Sequence, residues 1–128
     1  MDDLQIRDAF KRYGATLHNN RWAVSAIAND GSLVVSCWQR RFNTLNGAMQ
    51  YVDTLSSWDG KNAPGSNLLR EHLTQAIRDS LPVRLVIAHP APEGSNRIAD
   101  HFHVRPDLVG RVVSFNGDEF ALEFVRQT

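Results

Sequence analysis

The sequence predicts an α+β fold: a mainly antiparallel sheet of about five strands, built from two hairpins, with two or three helices packed on one face. Three observations carry this. Asp30-Gly31 and Asn116-Gly117 each separate runs of strand-type residues with the two-residue spacing of a tight hairpin. Apolar residues repeat at helical spacing around residues 6–13 and 69–81. The 128 residues are 42% hydrophobic and 22% charged, which suffices for one core and is too short for two. Residues 1–128 are therefore expected to form a single compact domain.

The elements follow in order. Ile6, Ala9, Phe10 and Tyr13 make one apolar stripe, with Asp2 or Asp3 as the expected cap and Gly14 as the left-handed stop. After Asn19-Asn20, residues 22–28 read as a strand and residues 33–38 as its hairpin partner. Trp22, Val24, Ala26 and Ala28 share one face of the first, and Leu33, Val35 and Cys37 share one face of the second. Both strands are apolar or small, so this hairpin is expected at the centre of the sheet. Residues 46–57 read as a short helix carrying Met49, Val52 and Leu55, and residues 60–65 as an exposed loop. Ser66 or Asn67 is expected to cap a second helix with the stripe Leu69, Leu73, Ala76, Ile77 and Leu81, bordered by His72 and ended by Pro82. Residues 83–88 are a short apolar strand and 89–97 a Pro/Gly loop. Residues 111–115 and 120–125 form the second hairpin, with Phe115, Phe120, Leu122 and Phe124 as core mass.

Charge and composition exclude several functions. Fourteen basic and fourteen acidic side chains give a net charge of zero, unlike a non-specific DNA coat or a DNA mimic. The single Cys37 rules out an internal disulfide framework and a multi-cysteine zinc site. No apolar run approaches the ~18 residues of a membrane span, and Met1-Asp2-Asp3-Leu4 is too acidic for a signal peptide. A soluble cytoplasmic protein with no membrane partner is expected. The charge is uneven: Arg7, Lys11, Arg12, Arg21, Arg40 and Arg41 outweigh four acids in residues 1–52, and the balance reverses after residue 107. Arg outnumbers Lys twelve to two, which suits phosphate and base-edge recognition but follows more readily from a GC-rich genome.

Three groups of residues carry candidate chemistry. His89, Asp100, His101 and His103 are gathered in and after a loop, and His101 and His103 would share one side if extended. Their spacing matches no zinc pattern, so they read as solvated loop histidines beside inward-packing Phe102 and Val104. No metal or other cofactor is expected, and His89, His101 and His103 are the residues from which a metal site would have to be built. Cys37 lies within a strand, where cysteine behaves as a small hydrophobe, and no nucleophile elbow or phosphate-cradling glycine loop occurs. The third group interleaves aromatic and basic residues: Arg21-Trp22 opens one strand, and Trp38-Gln39-Arg40-Arg41 closes its partner, so both fall at one end of the hairpin. Arginine contacts phosphates or guanine while an aromatic face stacks on an unpaired base. The same pair is hot-spot chemistry at protein interfaces, and the plain alternative is core tryptophans with a solvated arginine rim. Arg97, Arg105 and Arg111 would enlarge the patch if the fold brings them to it.

These residues also carry a resemblance. Asn20-Arg21-Trp22-x-x-Ser25-Ala26, then Asp30-Gly31-x-x-Val34-Val35-x-x-Trp38, resembles a pattern in small bacterial domains associated with mobile elements and phage. Some of those domains precede an HNH nuclease domain in restriction-like proteins. The resemblance covers residues 14–41 and extends to Val109-Gly110-Arg111-Val112. This chain has no HNH motif, so what the resemblance implies is a stand-alone reader or accessory domain acting through Arg21, Trp22, Trp38 and Arg40.

The expected function is thus a small non-catalytic binding module contacting nucleic acid, DNA in a mobile-element or restriction context. Arg21, Arg40 and Arg41 would lie on phosphates, and Trp22 or Trp38 on a base. The alternative is a protein–protein interaction module, such as a phage-type inhibitor or accessory subunit. A third class is a small metal-dependent enzyme built on the histidines. An exposed edge at residues 83–88 or at the C-terminal hairpin would pair two copies into a homodimer.

Overall fold

A computed structural model describes residues 4–17, 23–45, 47–58, 63–92 and 99–127. The elements are α1 (Ile6–Lys11), β1 (Ser25–Ile27), β2 (Leu33–Trp38), β3 (Phe42–Leu45), β4 (Ala48–Thr54), α2 (Ala63–Asp79), β5 (Val83–Pro90), β6 (Ala99–Val104), β7 (Leu108–Phe115) and β8 (Glu119–Arg126). The class is α+β, as the sequence predicts, but the sheet has eight strands rather than about five. Their order is β1-β2-β5-β7-β8-β4-β3, with β6 also on β5. Every pairing is antiparallel except that of β2 with β5.

One additional strand, β4, takes the place of the helix expected over 46–57, and another, β3, precedes it. Met49, Val52 and Leu55 fit a helical spacing, but Tyr51 and Asp53 are buried while Val52 between them is exposed, which is the two-residue period of a strand. Leu45 pairs with Ala48 across a two-residue connection, and Gly47 has φ +82°. Asn46-Gly47 is itself a hairpin signal, the third in the chain. The third additional strand, β6, follows the expected Pro/Gly loop, and β5 extends into that loop as far as Pro90.

The helices lie on opposite faces, not one. Leu33, Val35 and Cys37 of β2 and Val83, Leu85 and Ile87 of β5 pack with Leu69, Leu73 and Ala76 of α2 and with Tyr51, Phe120, Leu122 and Phe124. Val34 and Val86 face the other way, onto Ala9 and Phe10 of α1. The runs Leu33-Val34-Val35 and Leu85-Val86-Ile87 are apolar at every position, as a parallel pair buried on both faces requires. At six residues α1 is too short to persist alone. Burial of Phe10 holds it, together with Tyr13, whose hydroxyl donates to Leu85 O at 2.7 Å and accepts from Arg105 N–H at 3.0 Å. Its N-cap is Gln5, with no side-chain bond; Asp2 and Asp3 lie outside the described residues. Gly14, at φ +74°, stops it as expected.

Other boundaries moved. β1 has only three residues, and Val24 joins the α2 side while Ala26 and Ala28 join the α1 side. α2 begins at Ala63, ahead of the expected Ser66 or Asn67 cap, because Pro64 suits a first helical turn. Ile77 stands 48% exposed, outside the buried stripe. The first hairpin is not central, since β1 ends the sheet. Of the two expected dimer edges, residues 83–88 are interior, since β5 lies between β2 and the strands β6 and β7, while β7 pairs with β5 only where Gly110 meets Val83.

Candidate binding site at the ends of the parallel strands

β2 and β5 run parallel with Trp38 beside Ala88, so both end at the same edge of the sheet. β6 runs back along β5, placing His101 opposite His89 and His103 opposite Ile87. Residues 38–41 and the histidines at 89 and 101, far apart in sequence, therefore fall at one end of the fold.

Trp38 is half-buried. A 3-10 turn, Gln39–Arg41, follows it, and the exposed Arg40 guanidinium sits 5.5 Å from the indole centroid, within cation–π range. Arg41 turns toward the fold, with its guanidinium 3.6 Å from the buried Asp53 carboxylate. Asp53 also accepts from Tyr51 O–H at 2.9 Å and from Thr54 N–H at 2.8 Å. The Tyr51 hydroxyl in turn accepts from Trp38 N–H at 3.2 Å. This chain of bonds fastens the end of β2 to β4 and fixes where the Trp38–Arg40 pair stands. Burial pushes the Tyr51 hydroxyl and the Cys37 thiol above their ordinary values, so Cys37 is an inert buried thiol.

The histidines are strand residues rather than solvated loop residues, and His103 is buried. The His89 and His101 rings stack with centroids 4.3 Å apart and planes 12° apart, and His89 and His103 stack at 4.5 Å and 29°. His89 Nε2 lies 2.5 Å from His103 Nδ1, a bond that needs one ring N–H and one bare nitrogen. Among the described residues, no three His, Cys, Asp or Glu side chains are placed to hold a metal.

Of the residues singled out in the sequence, Trp38, Arg40 and Arg41 come together here, whereas Arg21 and Trp22 lie outside the described residues, as does Arg97. Arg105 is committed to Asp107, at 3.0 and 2.8 Å, and Arg111 to Glu123, at 3.5 Å. Tyr51 and Asp53 were missed. Their alternation with Met49, beside Asn46-Gly47, was the available signal.

A second polar pair lies on the α2 side. Ser25 Oγ of β1 is 2.7 Å from His72 Nδ1 of α2. Burial lowers the His72 pKa below its ordinary value, and the Glu71 charge opposes this less strongly. The unfolded chain then binds more protons in the window just below the ordinary histidine value, so this group's contribution falls as pH drops through it. Acidification from about pH 7.5 to about pH 5.5 should narrow the difference in melting temperature between the wild type and His72→Gln. A difference independent of pH would contradict the assignment.

Comparison with known proteins finds no matching family model, no matching curated protein and no matching solved structure.

Proposed function

We propose that the chain is a small non-catalytic binding module that contacts nucleic acid, DNA of a mobile-element or restriction context, through the edge carrying Trp38, Arg40 and Arg41. The observation that carries this reading is the Arg40 guanidinium over the Trp38 indole on an exposed turn. Such a pair offers a cation for a phosphate and an aromatic surface for an unpaired base. Arg40 is assigned the phosphate. Arg41, its charge partly offset by Asp53, positions the turn. The resemblance of residues 14–41 to mobile-element domains supports the same reading and adds Arg21 and Trp22 to the set. Cys37 is fully buried, which favours binding over covalent chemistry at this edge.

Trp58→Phe leaves Trp22 and Trp38, the two indoles of the proposed set, as the reporters. Titration with single- and double-stranded oligonucleotides should quench their fluorescence saturably. Binding through two phosphates should weaken roughly tenfold from about 50 to 200 mM salt. Absence of quenching with every oligonucleotide would overturn the reading and leave the protein–protein interaction module in its place.

A further inference from the structure

A cavity of about 370 Å³ lies toward the start of β5, away from Trp38. Its walls are Arg12 and Tyr13 at the end of α1, Asp30 in the turn between β1 and β2, Arg84 of β5 and Gln127 after β8. Arg84 pairs with Val34, whereas Trp38 pairs with Ala88, so the two places are four residues, about 13 Å, apart along the strands. Val34 and Val86 are fully buried on the α1 side, and Arg84 shares their face, since alternate strand residues point the same way. A half-buried guanidinium therefore sits beside an apolar core. Its Nη1 donates to Gln127 Oε1 and its Nη2 to Pro106 O, both at 3.2 Å and both neutral acceptors. The Tyr13 ring lies against it, 5.2 Å from the centroid. The Tyr13 hydroxyl is already bonded to Leu85 O and Arg105 N–H, which fixes the ring as a floor.

Nearby Arg105 has Asp107 as its ion-pair partner, but among the described residues no carboxylate pairs with Arg84. Two of its five N–H groups are used, which leaves three donors and the whole charge for a group from outside. The exposed Arg12 lines the same space, so two guanidiniums face one carboxylate there. Asp30 does not neutralise them. It accepts from Ser32 N–H at 2.9 Å, and bonding to Ser32, more than the charge of Arg84, holds its carboxyl below the ordinary value. The walls thus carry a net positive charge. A cation would be repelled, and an apolar group would strip water from the guanidiniums without replacing it. A phosphate offers acceptors to both forks. Asp30 repels a bare dianion and accepts from a hydroxyl, which favours a phosphate ester that carries hydroxyl groups. The cavity is of the size of small-molecule sites.

We propose that this cavity binds the phosphate of a small hydroxylated phosphate ester, a pentose phosphate either free or as part of a nucleotide. Arg84 holds the phosphate as a fixed fork on the Tyr13 ring, Arg12 adds the second cation, and Asp30 accepts from a sugar hydroxyl. The site lies apart from the Trp38–Arg40 edge and does not depend on the reading of that edge.

The test uses the whole ¹⁵N-labelled protein at pH 7 and constant ionic strength. The probes are inorganic phosphate, ribose 5-phosphate and adenosine 5′-monophosphate, with acetate and ribose as controls. The Arg84 Nε–H and Gln127 side-chain amide resonances should shift saturably with ribose 5-phosphate, half-saturating near about 1 mM, several-fold more weakly with inorganic phosphate, and not with the controls. Arg12 is exposed, so Arg12→Ala should keep the wild-type spectrum and weaken binding about tenfold. Arg84→Lys keeps the charge but loses the fork and should weaken binding at least as much. Asp30→Asn keeps an acceptor for Ser32 N–H; it should tighten inorganic phosphate and erase the advantage of ribose 5-phosphate. Tighter binding of adenosine 5′-monophosphate than of ribose 5-phosphate would make the ligand a nucleotide, and equal binding a sugar phosphate; both support the site. No shift with any phosphate, equal shifts with acetate or ribose, or binding unchanged in both Arg12→Ala and Arg84→Lys would each overturn it.

Discussion

Asp53→Ala is expected to be among the most damaging substitutions in the chain, lowering stability by about 2–5 kcal/mol. The carboxylate is 3% exposed and serves Tyr51 O–H, Thr54 N–H and the Arg41 guanidinium together. Its removal takes the acceptor from the buried Tyr51 hydroxyl, at about 1–3 kcal/mol, and from the half-buried Thr54 N–H. The Arg41 pair adds little, since that side chain is 43% exposed and screened by water. Asp53→Asn keeps an acceptor at one oxygen and should cost less than half as much. Tyr51→Phe combined with Asp53→Ala should be less than additive, because the two groups share one bond. Denaturant unfolding of the four proteins measures this directly. Costs under about 0.5 kcal/mol for Asp53→Ala would mean that the network does not hold β2 to β4.

Gly110→Ala is the second large effect, at about 3 kcal/mol. Gly110 pairs with Val83 on one side and Phe124 on the other, at the point where β7 passes from β5 to β8. A Cβ there would lie 2.5 Å from Phe124 Cδ1 and 2.7 Å from Glu123 O. Phe124 is fully buried and Glu123 O is backbone, so neither yields easily. Gly117→Ala is the control: at φ +101° with open space around its Cβ, it should cost only about 1–2 kcal/mol of backbone strain. Adding Phe124→Leu to Gly110→Ala should recover part of the loss if the clash is the cause. A Gly110→Ala protein as stable as wild type would place β7 differently.

The parts of the fold legible in the sequence are those set by local chemistry. Asp30-Gly31 and Asn116-Gly117 mark turns because positive φ favours these residues, and Gly31 and Gly117 have φ +91° and +101°. Leu69, Leu73 and Ala76 mark the buried face of α2 because helical spacing is fixed. The strand β4 was hidden because Met49, Val52 and Leu55 happen to satisfy helical spacing over the same residues as the Tyr51–Asp53 alternation. The parallel pairing of β2 with β5 has no local signal, since its partners lie 50 residues apart. With it went the placement of the helices on two faces and the meeting of Trp38 with the histidine strands. Of the candidate site, the Trp38–Arg40 pair was readable because its residues are neighbours in the chain. The division of labour between Arg40 and Arg41 was not, since it depends on Asp53 in a strand misread as helix. Ser25 and His72, 47 residues apart, were equally invisible as a pair.

The central claim is that Arg40 and Trp38 bind a nucleic-acid strand. Its most direct test is the dependence of affinity on salt for the wild type and Arg40→Ala with one single-stranded oligonucleotide. Each phosphate neutralised on a single strand contributes about −0.7 to the slope of log affinity against log salt. The wild type should bind with a clearly negative slope, and Arg40→Ala should bind more weakly with a slope shallower by about 0.7. Equal slopes and affinities for the two proteins, or no binding by the wild type, would contradict the claim.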